Sequence, residues 1–205
     1  MIKRVCVFAA SSPGISNEYL AAGTSMGRLL AQNKITMNFG AGSVGIMGAM
    51  ADEMLRMKGD VVGFIPGFMK EMGWAHPGIS EIRVVDTMHE RKALMMKNVD
   101  AIISMPGGVG TLEELLEAIT LKQLGKFLKP IIILNTNDFY NPLLDHLQDM
   151  IHQNFMRPLH GKIWQVASTP EEVLDKIKNE PEWDPQAIKY AAVEANLGRV
   201  STDDQ

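Results

Sequence analysis

Residues Pro106-Gly-Gly-Val-Gly-Thr-Leu-Glu-Glu114 follow the apolar run Ala101-Ile-Ile-Ser-Met105, which reads as a buried strand. The segment therefore places a glycine turn at the start of a helix. Gly107, Gly108 and Gly110 let backbone N–H groups approach and point at a ligand, and a helix opening near Gly110 adds its positive dipole end. The natural guest is an anion, with phosphate the first candidate. Glu114 lies one helical turn beyond Gly110 on the same face, with a side chain leaning back toward the loop. A carboxylate beside an anion cradle points to chemistry next to the phosphate. The same residues also suit a tight packing turn in which Glu113 and Glu114 complement the helix dipole. No Gly-Lys-Ser/Thr closes the loop, which argues against a P-loop NTPase.

Three further groups could carry chemistry. Asp86-Thr-Met-His-Glu-Arg-Lys92 opens a helix, with Thr87 and Glu90 spaced as a capping box. Arg91 and Lys92 fall just past the first turn, where a cation opposes the dipole unless an anion or carboxylate is near, so both are ligand candidates. His89 reads as a packed or solvated histidine before a catalytic one. Gly40-Ala-Gly-Ser-Val-Gly45 has the letters of a dinucleotide fingerprint, but no acid ends the following strand to hold a ribose. Gly42 and Gly45 therefore belong either to a second anion- or base-binding loop or to close helix packing. Ser11-Ser-Pro-Gly14 offers the hydroxyls of Ser11 and Ser12, which suit ribose or phosphate oxygens and equally a helix-entry turn. The five histidines form no His-Glu-x-x-His pattern and no Gly-x-Ser-x-Gly elbow occurs, so metal-assisted hydrolysis and serine acyl transfer lose support and no metal is expected.

The elements that must position these residues alternate. Strands are expected at 5–9, 35–39, 61–65, 82–85, 101–105, 131–134 and 164–166. Helical periodicity falls at 18–31, 46–57, 88–97, about 110–124, 142–154 and 170–178. This rhythm predicts an α/β fold: a doubly wound parallel sheet of about seven strands with helices on both faces and ligands at the carboxyl ends of the strands. Every glycine loop named above falls at such an end. The Gly/Pro-rich stretch 66–80, holding Met72, Trp74 and His76, is long enough for a flap or a partner contact and equally suits an ordered connection anchored by Trp74.

The 205 residues suit one catalytic domain over 1–180, with a flexible or docking tail over 181–205. Apolar residues at 46% and charged residues at 21% are ordinary for a globular chain, and the net charge of −4 comes with no basic run, so no nucleic-acid partner is expected. A lone Cys6 in an apolar strand fits inert core in a reducing cytoplasm. Neither a membrane span nor a convincing signal peptide is seen. The fifteen methionines, several at helical spacing, read as core packing.

Taken together, Met88-His-Glu-Arg-Lys-Ala-Leu-Met95 and Pro106-Gly-Gly-Val-Gly-Thr-Leu-Glu-Glu114 resemble the paired motifs of the LOG (Lonely Guy) family, cytokinin riboside 5′-monophosphate phosphoribohydrolases long mislabelled as lysine decarboxylases. The resemblance extends through Phe39–Gly48, Gln123-Leu-Gly125 and Phe139-Tyr-Asn-Pro-Leu-Leu144 to about Lys178. It implies a Rossmann-like fold, a homodimer, no cofactor, and a nucleoside 5′-monophosphate as substrate. The catalytic pair would be Arg91 and Glu114, with Gly107, Gly108, Gly110 and Thr111 on the 5′-phosphate. Arg91 and Lys92 would counter charge at the phosphate or base end, with Met88, Ser11, Ser12, Gly42 and Gly45 completing the substrate contacts. Departures occur at Ala9-Ala10, at Ala41 where a third glycine is usual, and at Leu121 where tryptophan is common. Three rivals remain: a non-catalytic nucleotide-binding or sensor protein, a pyridoxal-phosphate decarboxylase, for which no lysine has the context of a Schiff base, and a purely structural interaction protein if all three glycine loops are packing turns.

Overall fold

The short Val/Ile-rich runs at the centre become strands buried on both faces, as a parallel sheet covered by helices requires, whereas the edge strand 81–85 is largely exposed. The computed structural model describes residues 1–79 and 81–191. In chain order the elements are β1 (Arg4–Phe8), α1 (Asn17–Gln32), β2 (Thr36–Phe39), α2 (Gly45–Arg56), β3 (Val61–Pro66), α3 (Gly67–Glu71), β4 (Glu81–Val85) and α4 (Met88–Met96). There follow β5 (Ala101–Ser104), α5 (Val109–Gln123), β6 (Ile131–Leu134), α6 (Asn141–His152), β7 (Gln165–Ala167), α7 (Pro170–Asn179) and α8 (Ile188–Ala191). Two 3-10 turns, Thr136–Asp138 and Pro158–Lys162, flank α6.

The strands form one seven-stranded parallel sheet in the order β4-β3-β2-β1-β5-β6-β7. The chain winds outward from β1 to β4, then returns to lay β5 against the other side of β1. That reversal opens a crevice beyond the carboxyl ends of β1 and β5, the place where a doubly wound sheet binds ligands. Alternation along each strand divides the core into two layers. Val5 and Val7 of β1 pack with α1, α2 and α7, whereas Cys6 and Phe8 face α4, α5 and α6. Cys6 is buried, and that burial raises its thiol pKa well above the ordinary value.

The expected strands and helices all appear, with ends displaced by a residue or two. Two helices lie outside those spans: α3, five residues long, starts the 66–80 stretch between Pro66 and Gly73, and α8 falls within the expected tail. Of the methionines read as core, Met50, Met54 and Met95 are fully buried, whereas Met88 is partly exposed. Residues 181–187 run back along the molecule, where the Trp183 Nε1–H donates to the Lys122 carbonyl at 2.7 Å. Residues 192–205 of the expected tail lie outside the described residues.

Candidate active site

Glu114 and Arg91 reach each other although β4 and β5 are separated by three strands, because α4 crosses back over β3 and β2 on the sheet face that also carries α5. The Thr87 hydroxyl caps α4 by accepting from the Glu90 N–H at 3.1 Å, and Glu90 in turn accepts from the Asp86 N–H at 3.0 Å, one residue before its expected capping-box partner. The cap starts the helix at Met88 and turns Arg91 inward, where the side chain is 6% exposed. Its Nη1 donates to Glu114 Oε1 at 2.9 Å, its Nε to the Phe64 carbonyl at 3.0 Å and its Nη2 to the Gly40 carbonyl at 3.4 Å. Gly40 is required here, since a Cβ at that position would lie 2.0 Å from Nη2. The guanidinium is thus held by a carbonyl of β3 and a carbonyl of the loop after β2, and it in turn fixes Glu114 of α5.

Arg91 had been expected at the phosphate or base end. It is paired with the Glu114 carboxylate, which resolves its unfavourable place near a helix N-terminus. Lys92 is paired likewise, its ammonium bonded to Glu113 and lying 2.7 Å from Glu117 Oε2. Burial works to lower the Lys92 pKa, but these two carboxylates outweigh it and the net shift is upward. For Glu114, burial dominates over the Arg91 charge and holds the carboxyl above its ordinary value. Among the described residues no donor reaches Glu114 Oε2.

A cavity of about 620 Å³ opens above this pair, within the usual size of small-molecule sites. Ser11, Ser12, Gly42, Met88, Arg91, Gly108, Gly110, Thr111 and Glu114 all line it. Three other expected contacts do not. Lys92 is engaged by the acids of α5, whereas Gly45 and Gly107 are backed by protein. Gly45 takes φ +65°, and a Cβ there would meet Ala10 and Ser12 backbone at 2.8 Å. At Gly107 a Cβ would come within 2.1 Å of Thr111 Oγ1. Gly108 and Gly110 differ, because a Cβ at either meets nothing within 4 Å. Gly108 is the N-cap of the 15-residue α5 and offers no side chain to the first N–H groups of that helix. His89 is exposed and does not line the cavity.

Several lining residues escaped the sequence reading because no local pattern marks them. Ile65, Met69 and Trp74 enter from the end of β3 and the segment after it, and Val44 and Met47 from the start of α2. For Met69 and Trp74 the signal was the long 66–80 stretch itself. Among the described residues no cluster of His, Cys, Asp or Glu suits a metal ion, and no helix is long and apolar enough to cross a membrane.

Fold and site together define a Rossmann-like α/β protein with a glycine-rich helix start beside a buried arginine–carboxylate pair. The chain belongs to the LOG family, whose sequence model, described as "Possible lysine decarboxylase", matches residues 47–177. It is 38% identical over 183 residues to the cytokinin riboside 5′-monophosphate phosphoribohydrolase LOG7 of Arabidopsis thaliana, covering 89% of this chain and 84% of that one. With the cytokinin riboside 5′-monophosphate phosphoribohydrolase of Rhodococcoides fascians it shares 41% identity over 157 residues, 76% of this chain and 79% of the other. In fold it matches the molybdenum cofactor binding protein of Rippkaea orientalis with a TM-score of 0.66 at 21% identity, over 87% of this chain and 96% of that one.

Proposed function

We propose that the protein hydrolyses the N-glycosidic bond of a nucleoside 5′-monophosphate, of the AMP or cytokinin riboside type, to free base and ribose 5-phosphate. The observation that carries this reading is the placement of Glu114, a buried carboxylate held by Arg91 at 2.9 Å, one turn along the same helix from a start where a Cβ at Gly108 or Gly110 would meet nothing within 4 Å. The 5′-phosphate rests on the N–H groups of that start and Thr111, with Ser11, Ser12, Gly42 and Met88 along the ribose and base. The reacting C1′ then lies over Glu114. As the bond from C1′ to the base nitrogen breaks, its electron pair leaves with the base and positive charge grows on the sugar, as in glycoside hydrolysis. The Glu114 carboxylate stabilises that charge and orients a water whose hydroxyl adds to C1′, while the water's proton ends on the departing base. Arg91 is a positioning residue, because its charge is already countered by Glu114. Lys92, Gly45 and Gly107 support the site from outside it.

Neither a sensor nor a decarboxylase is favoured. Holding a phosphate needs no buried carboxylate beside it. The two buried lysines, Lys92 and Lys122, are each engaged by carboxylates and line no part of the cavity, so no amine is presented for a Schiff base. We place the catalytic domain at 1–180, followed by a tail at 181–205, working as a homodimer in the cytoplasm. Exposed apolar side chains at Phe68, Met72, Val109 and Leu116 offer material for the interface, and light scattering in solution reads its formation. To test the activity, the purified protein is incubated with a panel of nucleoside 5′-monophosphates and the matching nucleosides. Free base and ribose 5-phosphate from the monophosphates alone are expected, and tight binding without release would defeat the hydrolase reading.

A further inference from the structure

Trp74 is the sole aromatic side chain among the described residues that line the cavity, and it stands half exposed at the mouth. The segment that carries it is pinned on both sides. Trp74 N–H donates to the Met69 carbonyl at 3.2 Å, Ala75 makes an antiparallel bridge with Gly42, and His76 N–H donates to the Ala41 carbonyl at 2.8 Å. The buried His76 ring completes the clasp, with Nε2 3.0 Å from Asp52 Oδ1 and Nδ1 accepting from the Gly78 N–H at 3.1 Å. A tryptophan on so constrained a backbone presents a prepared surface instead of a sweeping side chain.

Its position across the strand ends says what that surface meets. The phosphate cradle follows β5, Arg91 links Glu114 of α5 to Gly40 after β2 and to Phe64 of β3, and Ile65, Met69 and Trp74 come from the end of β3 and the segment after it. From β5 to β3 is three strand spacings, about 14 Å. The cavity therefore runs from an anion-binding end, past a carboxylate, to an apolar aromatic end, the order of phosphate, sugar and base in a nucleotide. We propose that Trp74 is a specificity-determining residue that stacks on the substrate's base, with the His76–Asp52 clasp as its support. This rests on the hydrolase reading for the direction of the substrate, but the stacking contact is measurable without turnover.

The test uses Glu114→Gln as a background that binds without cleaving, and compares AMP with ribose 5-phosphate by calorimetry before and after adding Trp74→Ala or Trp74→Phe. Stacking on an aromatic ring makes the expected loss of AMP affinity in the alanine variant about tenfold. Ribose 5-phosphate, which has no base, is expected to bind unchanged, and phenylalanine to restore most of the AMP affinity. Equal loss for both ligands would show that Trp74 only braces the loop, and no loss for AMP would remove it from the site; either overturns the proposal. If the unsubstituted protein releases no base yet Trp74→Ala weakens AMP selectively, the hydrolase reading fails and the stacking role stands. Failure of AMP to bind Glu114→Gln at all overturns both.

Discussion

Two glycine-rich turns leave the same edge of the sheet, and they use glycine for opposite purposes. After β2, Gly40, Gly42 and Gly45 are each met by other parts of the protein: by the Arg91 guanidinium, by Met47 and Ser11, and by the backbone of Ala10 and Ser12. After β5, Gly108 and Gly110 face nothing within 4 Å. The first loop is filled by the fold and shapes the cavity wall. The second is left empty at a helix start, where an anion belongs. A glycine motif therefore signals close approach but not by whom, and the space around each glycine decides between packing and binding.

The largest effect expected on this contrast comes from the group beside the empty loop. Glu114→Gln should lower kcat by about a thousandfold while leaving the fold intact, as loss of a charged transition-state group does. Steady-state kinetics and circular dichroism check the two halves. Because burial holds the Glu114 carboxyl above the ordinary 4.5, falling pH protonates it early. The acid limb of the kcat profile should therefore begin above the range of an ordinary glutamate.

Next come two matched alanine substitutions. Gly45→Ala forces a left-handed backbone and a 2.8 Å approach to Ala10 and Ser12, so it should cost about 2 kcal/mol of stability in denaturant melts. Gly110→Ala adds a methyl into open space inside α5, where alanine is the better helix former. It should leave stability unchanged or raised, yet weaken substrate binding about tenfold. If both variants lost stability alike, the contrast between the loops would collapse.

The smallest effect is expected beneath the second loop. Tyr140, its hydroxyl pKa pushed up to about 12 by burial, donates to the Met105 carbonyl at 2.7 Å and so braces the strand end that feeds the cradle. Tyr140→Phe should cost about 1 kcal/mol in a thermal melt, with kcat/KM within about twofold of the parent.

Much of this organisation was legible in the chain itself. Strand 61–65 and helix 88–97 come out nearly at their true bounds because hydrophobic period and the Thr87 cap are local signals. The five residues of α3 were missed because one helical turn and a half carries no periodicity. The partners of Arg91 and Lys92 were invisible for a different reason: Glu114 and Glu113 lie more than twenty residues away in sequence and meet them only because β5 returns beside β1. Strand order is a long-range property that alternation along one strand does not carry. For the same reason the protein atoms that surround Gly45, the backbone of Ala10 and Ser12, are not marked in its own segment.

The measurement closest to the central claim is the ratio of kcat/KM for AMP to that for adenosine, in the natural chain and in Gly110→Ala. If the empty turn after β5 holds the 5′-phosphate, the natural chain should favour AMP by orders of magnitude, and the substitution should shrink that preference by reducing the AMP value alone. An unchanged ratio, or an equal loss on both substrates, would contradict it.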